Sequence, residues 1–414
     1  MPARQENKSA MELWRKSLAG MTWMAGGHVA VRAAQFAVGI FLARLLMPAD
    51  FGIVGMIAVF IGVSDMFVDC GFPLAFMRKV DRTDEDAATV FWFSLGVSVV
   101  CYVALFATAP CIASFFGESG LVPVVRVVTT GIIFGALAAV PRALLKVRLQ
   151  FKTLSVLGVA SVLVSGLIGV ILALRGYGVW ALIWQGVLGN AFLLVSMTIA
   201  ARWLPRFVFS VESFRGFLSF GWKHLVSSLV NAVYYHVYSL VAGKSLGAEA
   251  VGIYNRAHSW ASLPPQVVSE AMTNVNYPIL SAIQDDNAAL RRAYDRLSLV
   301  SLALLIPSLG FLAAFAEPVV RLVLGNQWLC CVPYIRILAV GSMFEPAMNL
   351  YQNMLYLKGR TDMVMKLEFL QKPVCFVLVF AGLPFGLAGL CAARSASTVF
   401  MAAVNLVAAR RVAG

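Results

Sequence analysis

Arg32, Arg256 and Arg394 each interrupt a long apolar stretch of this 414-residue chain. Arg32 has His28 four residues before it and Gln35 three residues after, a spacing that sets all three on one face of a helix. Arg256 is accompanied by Asn255, His258 and Ser259, and Arg394 falls at a comparable depth in the last apolar stretch. A guanidinium near the centre of a bilayer costs about 2.5–3.5 kcal/mol on insertion scales. Three such groups are therefore expected to face a water-filled cavity. There the planar guanidinium fork suits a phosphate, which it can hold through two parallel hydrogen bonds. A pyrophosphate head group is the natural ligand, and acidic sugars fit the same cations; the residue types do not separate the two. The alternative is a structural pair for each arginine with Asp65, Asp69, Glu270 or Glu345.

Those four carboxylates are also candidates for ion or proton coupling, since acidic groups within a membrane often mark such pathways. His28, His236 and His258 can titrate in the same range of chemistry. Asp69 precedes Gly71 and Pro73, where a capping or packing role competes with coupling. Tyr234, Tyr235 and Tyr238 suit either aromatic packing or stacking against a glycan. Of the seven cysteines, Cys70, Cys101, Cys111, Cys375 and Cys391 lie within or beside apolar stretches, where thiols pack as small hydrophobes. Cys330 and Cys331 are adjacent, but no spacing suggests a disulfide framework or a metal site, and no cofactor is expected.

The elements that must position these groups follow from composition. Hydrophobic residues make up 60% of the chain and charged ones 13%, with a mean hydropathy of +0.82. A soluble chain carries roughly 25% charged residues. Apolar segments long enough to cross a bilayer as helices are read at 21–46, 51–77, 89–116, 122–145, 154–174, 178–201, 220–243, 248–283, 296–320, 331–357, 364–383 and 386–408. The connections are short, and no cleavable signal peptide is evident. In the leader, Met11, Leu13, Trp14 and Leu18 alternate with Lys8, Arg15 and Lys16, which suits an interfacial helix.

The net charge of +13 reports topology. One set of alternate loops carries most of the basic residues, among them Arg82, Lys146, Arg215, Arg292 and Arg360. The opposite set has only Arg44, Arg175, Lys244 and Arg321. This asymmetry places both termini in the cytoplasm, with no need of a nucleic-acid partner.

The chain also repeats itself. Arg44, Leu46, Gly52 and Ile53 return as Lys244, Leu246, Gly252 and Ile253; Val122, Pro123, Arg126, Gly131 and Phe134 return as Val332, Pro333, Arg336, Gly341 and Phe344. Tyr177-Gly178-Val179 aligns with Phe385-Gly386-Leu387. The expected fold is an all-α polytopic membrane protein of about twelve helices, in two parallel-repeat six-helix lobes around a central cavity. Its parts are a leader (1–19), an N-terminal lobe (20–202), a linker (203–219), a C-terminal lobe (220–408) and a tail (409–414). Six spans per half give both halves the same orientation, an arrangement associated with a site between repeats and alternating access.

The run Leu42-Ala43-Arg44-Leu45-Leu46-Met47-Pro48-Ala49-Asp50-Phe51-Gly52, then Asp69-Cys70-Gly71-Phe72 and Arg78-Lys79, resembles the Wzx-type polysaccharide exporters. These belong to the multidrug/oligosaccharidyl-lipid/polysaccharide superfamily. Val140-Pro141-Arg142-Ala143-Leu144-Leu145, Gly178-Val179-Trp180-Ala181-Leu182 and Tyr277-Pro278-Ile279-Leu280-Ser281 extend the resemblance to most of the chain. It implies a cationic cavity, inner-membrane translocation of an undecaprenyl-diphosphate-linked oligosaccharide driven by an ion gradient, and work alongside polymerase or export machinery. The chain departs from the pattern in span seven, where Tyr235 and Tyr238 stand in place of charges. Two other classes compete: a membrane glycan polymerase or glycosyltransferase, which needs acidic residues in a sizeable external loop, and a multidrug exporter, which favours an acidic or aromatic cavity.

Overall fold

The computed structural model describes residues 26–79, 81–282, 286–358 and 360–412, and every regular element among them is helical. The first helices are α1 (Gly26–Leu45), α2 (Pro48–Asp69), α3 (Phe72–Arg78), α4 (Asp84–Phe116), α5 (Leu121–Val128), α6 (Thr130–Val147), α7 (Phe151–Leu174) and α8 (Val179–Ala201). Next come α9 (Val211–Ala282), α10 (Asn287–Ala314), α11 (Ala316–Val323), α12 (Val332–Ser342), α13 (Glu345–Leu357), α14 (Thr361–Gly382) and α15 (Gly386–Val412). Among the described residues, nine apolar stretches are long enough to cross a membrane. The last of them, Asp362–Arg411, holds both α14 and α15, and α9 lies outside the nine. The protein is a multi-pass α-helical membrane protein.

Burial follows the rules of a lipid solvent. Val100, Leu167, Leu174, Ile199, Leu299, Phe369 and Val377 are each 62–71% exposed on long helices, a belt that water would not tolerate. Where helices touch, small residues let backbones approach. A Cβ on Gly166 would stand 2.6 Å from Val38, and Gly382 of α14 faces Gly389 of α15 just as closely.

The chain divides into two compact units, at Val237 and Tyr238, within α9. In the first unit, Pro48 opens α2 and the Asp50 carboxylate accepts the Met47 amide at 3.0 Å. Cys70 and Gly71 both adopt left-handed backbone, which ends α2 and starts α3. Thr83 and Asp86 cap α4 reciprocally. Asp86 is fully buried and receives Lys79 Nζ at 2.8 Å on both oxygens. α8 packs against α6 and α7, and α6 against α4. The opening segment of α9 joins this unit: Gly221 lies against the Cys70 carbonyl, Phe217 against Phe72, and Gly62 of α2 makes room for His236.

The second unit repeats the packing. α15 lies against α12, α13 and α14, as α8 does against α6 and α7, and α10 lies against α12 and α13. The repeated residues take matching places. Gly178 and Gly386 hold φ 54° and 64° with ψ −129° and −149°, a conformation essentially restricted to glycine, each at the start of the last helix of its half. Gly131 touches α8 at Asn190, and Gly341 touches α15 at Ser395. Arg126 and Arg336 each reach back to the preceding long helix, the first over the Phe106 ring at 4.4 Å and the second donating to the Ala313 carbonyl at 3.0 Å. α9 breaks at Gly247 (φ 85°, ψ 178°), in the gap between the apolar segments read at 220–243 and 248–283.

Candidate functional site

The second unit assembles a polar and aromatic cluster from α9, the 3-10 turn Asn326–Cys331, α13 and α15. After the break at Gly247, α9 carries Tyr254, Asn255, Arg256 and His258 on successive positions of one turn and the next. The Tyr254 ring runs nearly parallel to Tyr238 at 6.1 Å and to His258 at 5.9 Å. Tyr238 is fully buried, and its hydroxyl meets Ser397 Oγ of α15 at 3.0 Å. Arg394, one turn before Ser397, holds its guanidinium 5.3 Å from the centroid of that same Tyr238 ring. Arg394 is also within electrostatic reach of His258 and of Glu345 at the start of α13. Arg256 lies over the fully buried Trp328 ring at 5.0 Å, and Asn255 Oδ1 accepts from Ser239 Oγ at 2.8 Å.

The chemistry of this arrangement is the seating of guanidinium groups on aromatic faces. A ring face attracts a cation by its quadrupole and fixes the guanidinium plane, while leaving its N–H edge able to meet an oxyanion. Arg256 and Arg394 are both half-buried, so neither is sealed into the core.

Other candidates belong to the first unit. His28, Arg32 and Gln35 are all exposed on α1 of the first unit. Asp65 and Asp69 are exposed near the end of α2, and Asp69 closes that helix before the left-handed Cys70–Gly71 turn. Arg142 and Lys146 of α6 are within electrostatic reach of Asp69. The Glu270 side chain lies outside those described. Tyr235 is exposed and stands edge-on to His236 at 5.1 Å.

Several partners escape a reading by sequence alone. Trp328 and Tyr254 become platforms only through contacts between helices far apart in the chain. Lys372 and Glu368 of α14 form a pair at 3.4 Å with 12% and 23% exposure, and Gln352 of α13 joins at 3.5 Å. Their signal is an acid and a base four residues apart within the apolar segment read at 364–383. Gln371 Nε2 donates to Asn405 Oδ1 at 2.7 Å, a fully enclosed amide pair between α14 and α15.

This repeated, broken-helix architecture is a multi-pass membrane fold that known structures share. The lipid II flippase MurJ, in an inward closed conformation, aligns with a TM-score of 0.76 at 16% identity, over 93% of this chain and 87% of that one. An inward-facing multidrug resistance MATE family transporter of the MOP superfamily aligns with a TM-score of 0.71 at 18% identity, over 92% and 94%. The chain belongs to the family described as polysaccharide biosynthesis protein, whose profile matches residues 41–333. Teichuronic acid biosynthesis protein TuaB of Bacillus subtilis is 27% identical over 72% of this chain and 62% of its own length. Succinoglycan biosynthesis transport protein ExoT of Rhizobium meliloti is 27% identical over 77% and 65%. Lipopolysaccharide biosynthesis protein WzxC of Escherichia coli is 25% identical over 86% and 73%. The chain thus spans less than two thirds of the length of the first two relatives.

Proposed function

We propose that this protein is a transporter, not an enzyme, and that it flips an undecaprenyl-diphosphate-linked oligosaccharide across a bacterial inner membrane by alternating access. The observation that carries the reading is the seating of Arg256 on Trp328 and Arg394 on Tyr238, inside a membrane-embedded helical unit. Cations held this way suit the diphosphate of a glycan lipid. Membership of a polysaccharide biosynthesis family supports that substrate class over cationic drugs. In this reading the chain crosses the membrane twelve times, in lobes spanning 20–202 and 220–408 joined by 203–219, with both termini cytoplasmic. Arg32, with His28 and Gln35, supplies a third cationic contact from α1, and Asn255 and His258 provide polar contacts to the glycan. Asp65, Asp69, Glu270 and Glu345 are the carboxylates through which an ion gradient drives the cycle.

Alanine replacement of Arg32, Arg256 and Arg394, one at a time, tests the assignment in a strain whose surface polysaccharide depends on this protein. Export is expected to fall sharply at normal protein abundance, with Lys restoring it only in part because it lacks the planar fork. Normal export by all three stable variants would remove the binding role. Loss of the protein from the membrane would instead assign the arginine a structural pair.

A further inference from the structure

The first unit carries a groove, separate from the candidate site, at the end where α4 begins and α6 and α8 finish. Residues 202–210 leave α8 and run across this end as a strap. Trp92 Nε1 donates to the Arg206 carbonyl at 2.7 Å, and the Ser210 amide donates to Thr89 Oγ1 at 3.0 Å. The Phe207 ring stacks on Trp92 at 5.0 Å, and Trp203 turns inward against Phe91 at 5.9 Å. Beneath the strap lies a cavity of about 350 Å³ lined by Leu137, Pro141, Leu194, Ile199, Trp203 and Leu204. The α8 residues that line it start at Leu194, seven residues before the helix ends at Ala201. At the helical rise, the groove therefore runs roughly 10 Å from the helix end toward the bilayer centre.

The rim is basic and the strap is outwardly apolar. Arg202 and Arg206 flank the strap residues that line the groove, and both are exposed. Arg148 donates to the Ala201 carbonyl beside them. Leu204 and Phe207 are 76% and 91% exposed. Large apolar side chains left outside the protein, next to arginines and a tryptophan, form the arrangement expected where headgroups meet hydrocarbon. Asp84 stands 3.8 Å from Arg206 and balances part of its charge, so Arg202 carries more of the attraction.

We propose that this groove binds an anionic phospholipid of the adjoining leaflet, with an acyl chain along α8 and the headgroup phosphate between Arg202 and Arg206. The apolar lining selects a hydrocarbon chain, and the basic rim selects a negative headgroup over a zwitterionic one. Each cation near an anionic lipid surface contributes about fivefold in affinity.

The test is native mass spectrometry of the full-length protein in detergent, titrated with dioleoylphosphatidylglycerol and with dioleoylphosphatidylcholine. Retention of the glycerol lipid is expected to exceed that of the choline lipid by about fivefold or more. The double variant Arg202→Gln/Arg206→Gln is expected to bring the ratio close to one. Leu204→Ser/Phe207→Ser is expected to lower retention of both lipids while keeping their ratio. Equal retention by the unmodified protein, or an unchanged ratio in the double glutamine variant, overturns the proposal. Displacement of the glycerol lipid by equimolar undecaprenyl phosphate overturns it as well, because the groove would then belong to the polyprenyl carrier. Size-exclusion elution checks each variant. If the double variant aggregates, Arg202→Gln alone decides, since that exposed side chain has no packing role to lose.

Discussion

Replacing Tyr238 separates the ring from its hydroxyl. The hydroxyl bonds Ser397 Oγ at 3.0 Å, with both residues fully buried. Tyr238→Phe removes that bond and leaves Ser397 short of a partner, at a stability cost of about 1–1.5 kcal/mol. The ring stays, and with it the face 5.3 Å from the Arg394 guanidinium and the stack on Tyr254 at 6.1 Å. Tyr238→Leu removes the ring. It forfeits a cation–ring attraction of about 2 kcal/mol in a desolvated place and a stacking term of about 0.5–1.5 kcal/mol. A 2 kcal/mol loss of anchoring corresponds to roughly 30-fold fewer molecules with Arg394 seated. The assay is complementation of a deletion strain, with surface polysaccharide and membrane-embedded protein measured in the same culture. Tyr238→Phe is expected to export near the normal level, and Tyr238→Leu to export far less per molecule of protein. Equal export by the two variants at equal abundance would show that the seating of Arg394 has no part in transport.

Four further outcomes are expected. Gly341→Ala places a methyl group on the Ser395 backbone and should cost about 1–3 kcal/mol, read as a lower thermal midpoint in detergent. Gly131→Ala, at the matching place in the other half, meets the Asn190 side-chain nitrogen at 3.4 Å and Val187 at 3.9 Å, ordinary contact distances, and should change the midpoint little. Lys79→Met takes the cation from the fully buried Asp86 carboxylate, which keeps the Thr83 amide, and should destabilise by about 2 kcal/mol, reduced from the cost at a sealed pair because Lys79 is 41% exposed; an unchanged midpoint would refute this. Arg292→Cys, in a background without native cysteines, should react with an impermeant thiol reagent only after the membrane is opened, and reaction in intact cells would invert the proposed topology.

Hydropathy and spacing made the helical, membrane-spanning class legible, because twenty apolar residues in a row admit few other structures. The repeated glycines were legible for a related reason. Gly178 and Gly386 hold backbone angles that other residues avoid, so the sequence preserves them where little else survives between the halves. The break in α9 was visible as a short polar interval, Lys244 to Glu249, between two apolar segments. What hydropathy does not carry is which helices touch. Trp328 gave no sign that it lies under Arg256, some seventy residues away in the chain. The stretch 203–219 read as a linker, whereas α9 begins at Val211 and its first segment packs onto the unit formed by α1–α8. Lys146 reads as a loop charge, yet it lies in the last turn of α6 within reach of Asp69, because a lysine near a span end satisfies both descriptions equally well.

The most direct measurement of the central claim is translocation by purified protein in proteoliposomes. An undecaprenyl-diphosphate-linked oligosaccharide is loaded into the inner leaflet, and its arrival outside is followed with an impermeant glycosidase. The account predicts protein-dependent exposure of the glycan, accelerated by an ion gradient and abolished in Arg394→Ala. Exposure no faster than in protein-free vesicles, or equally fast with Arg394→Ala, would contradict it.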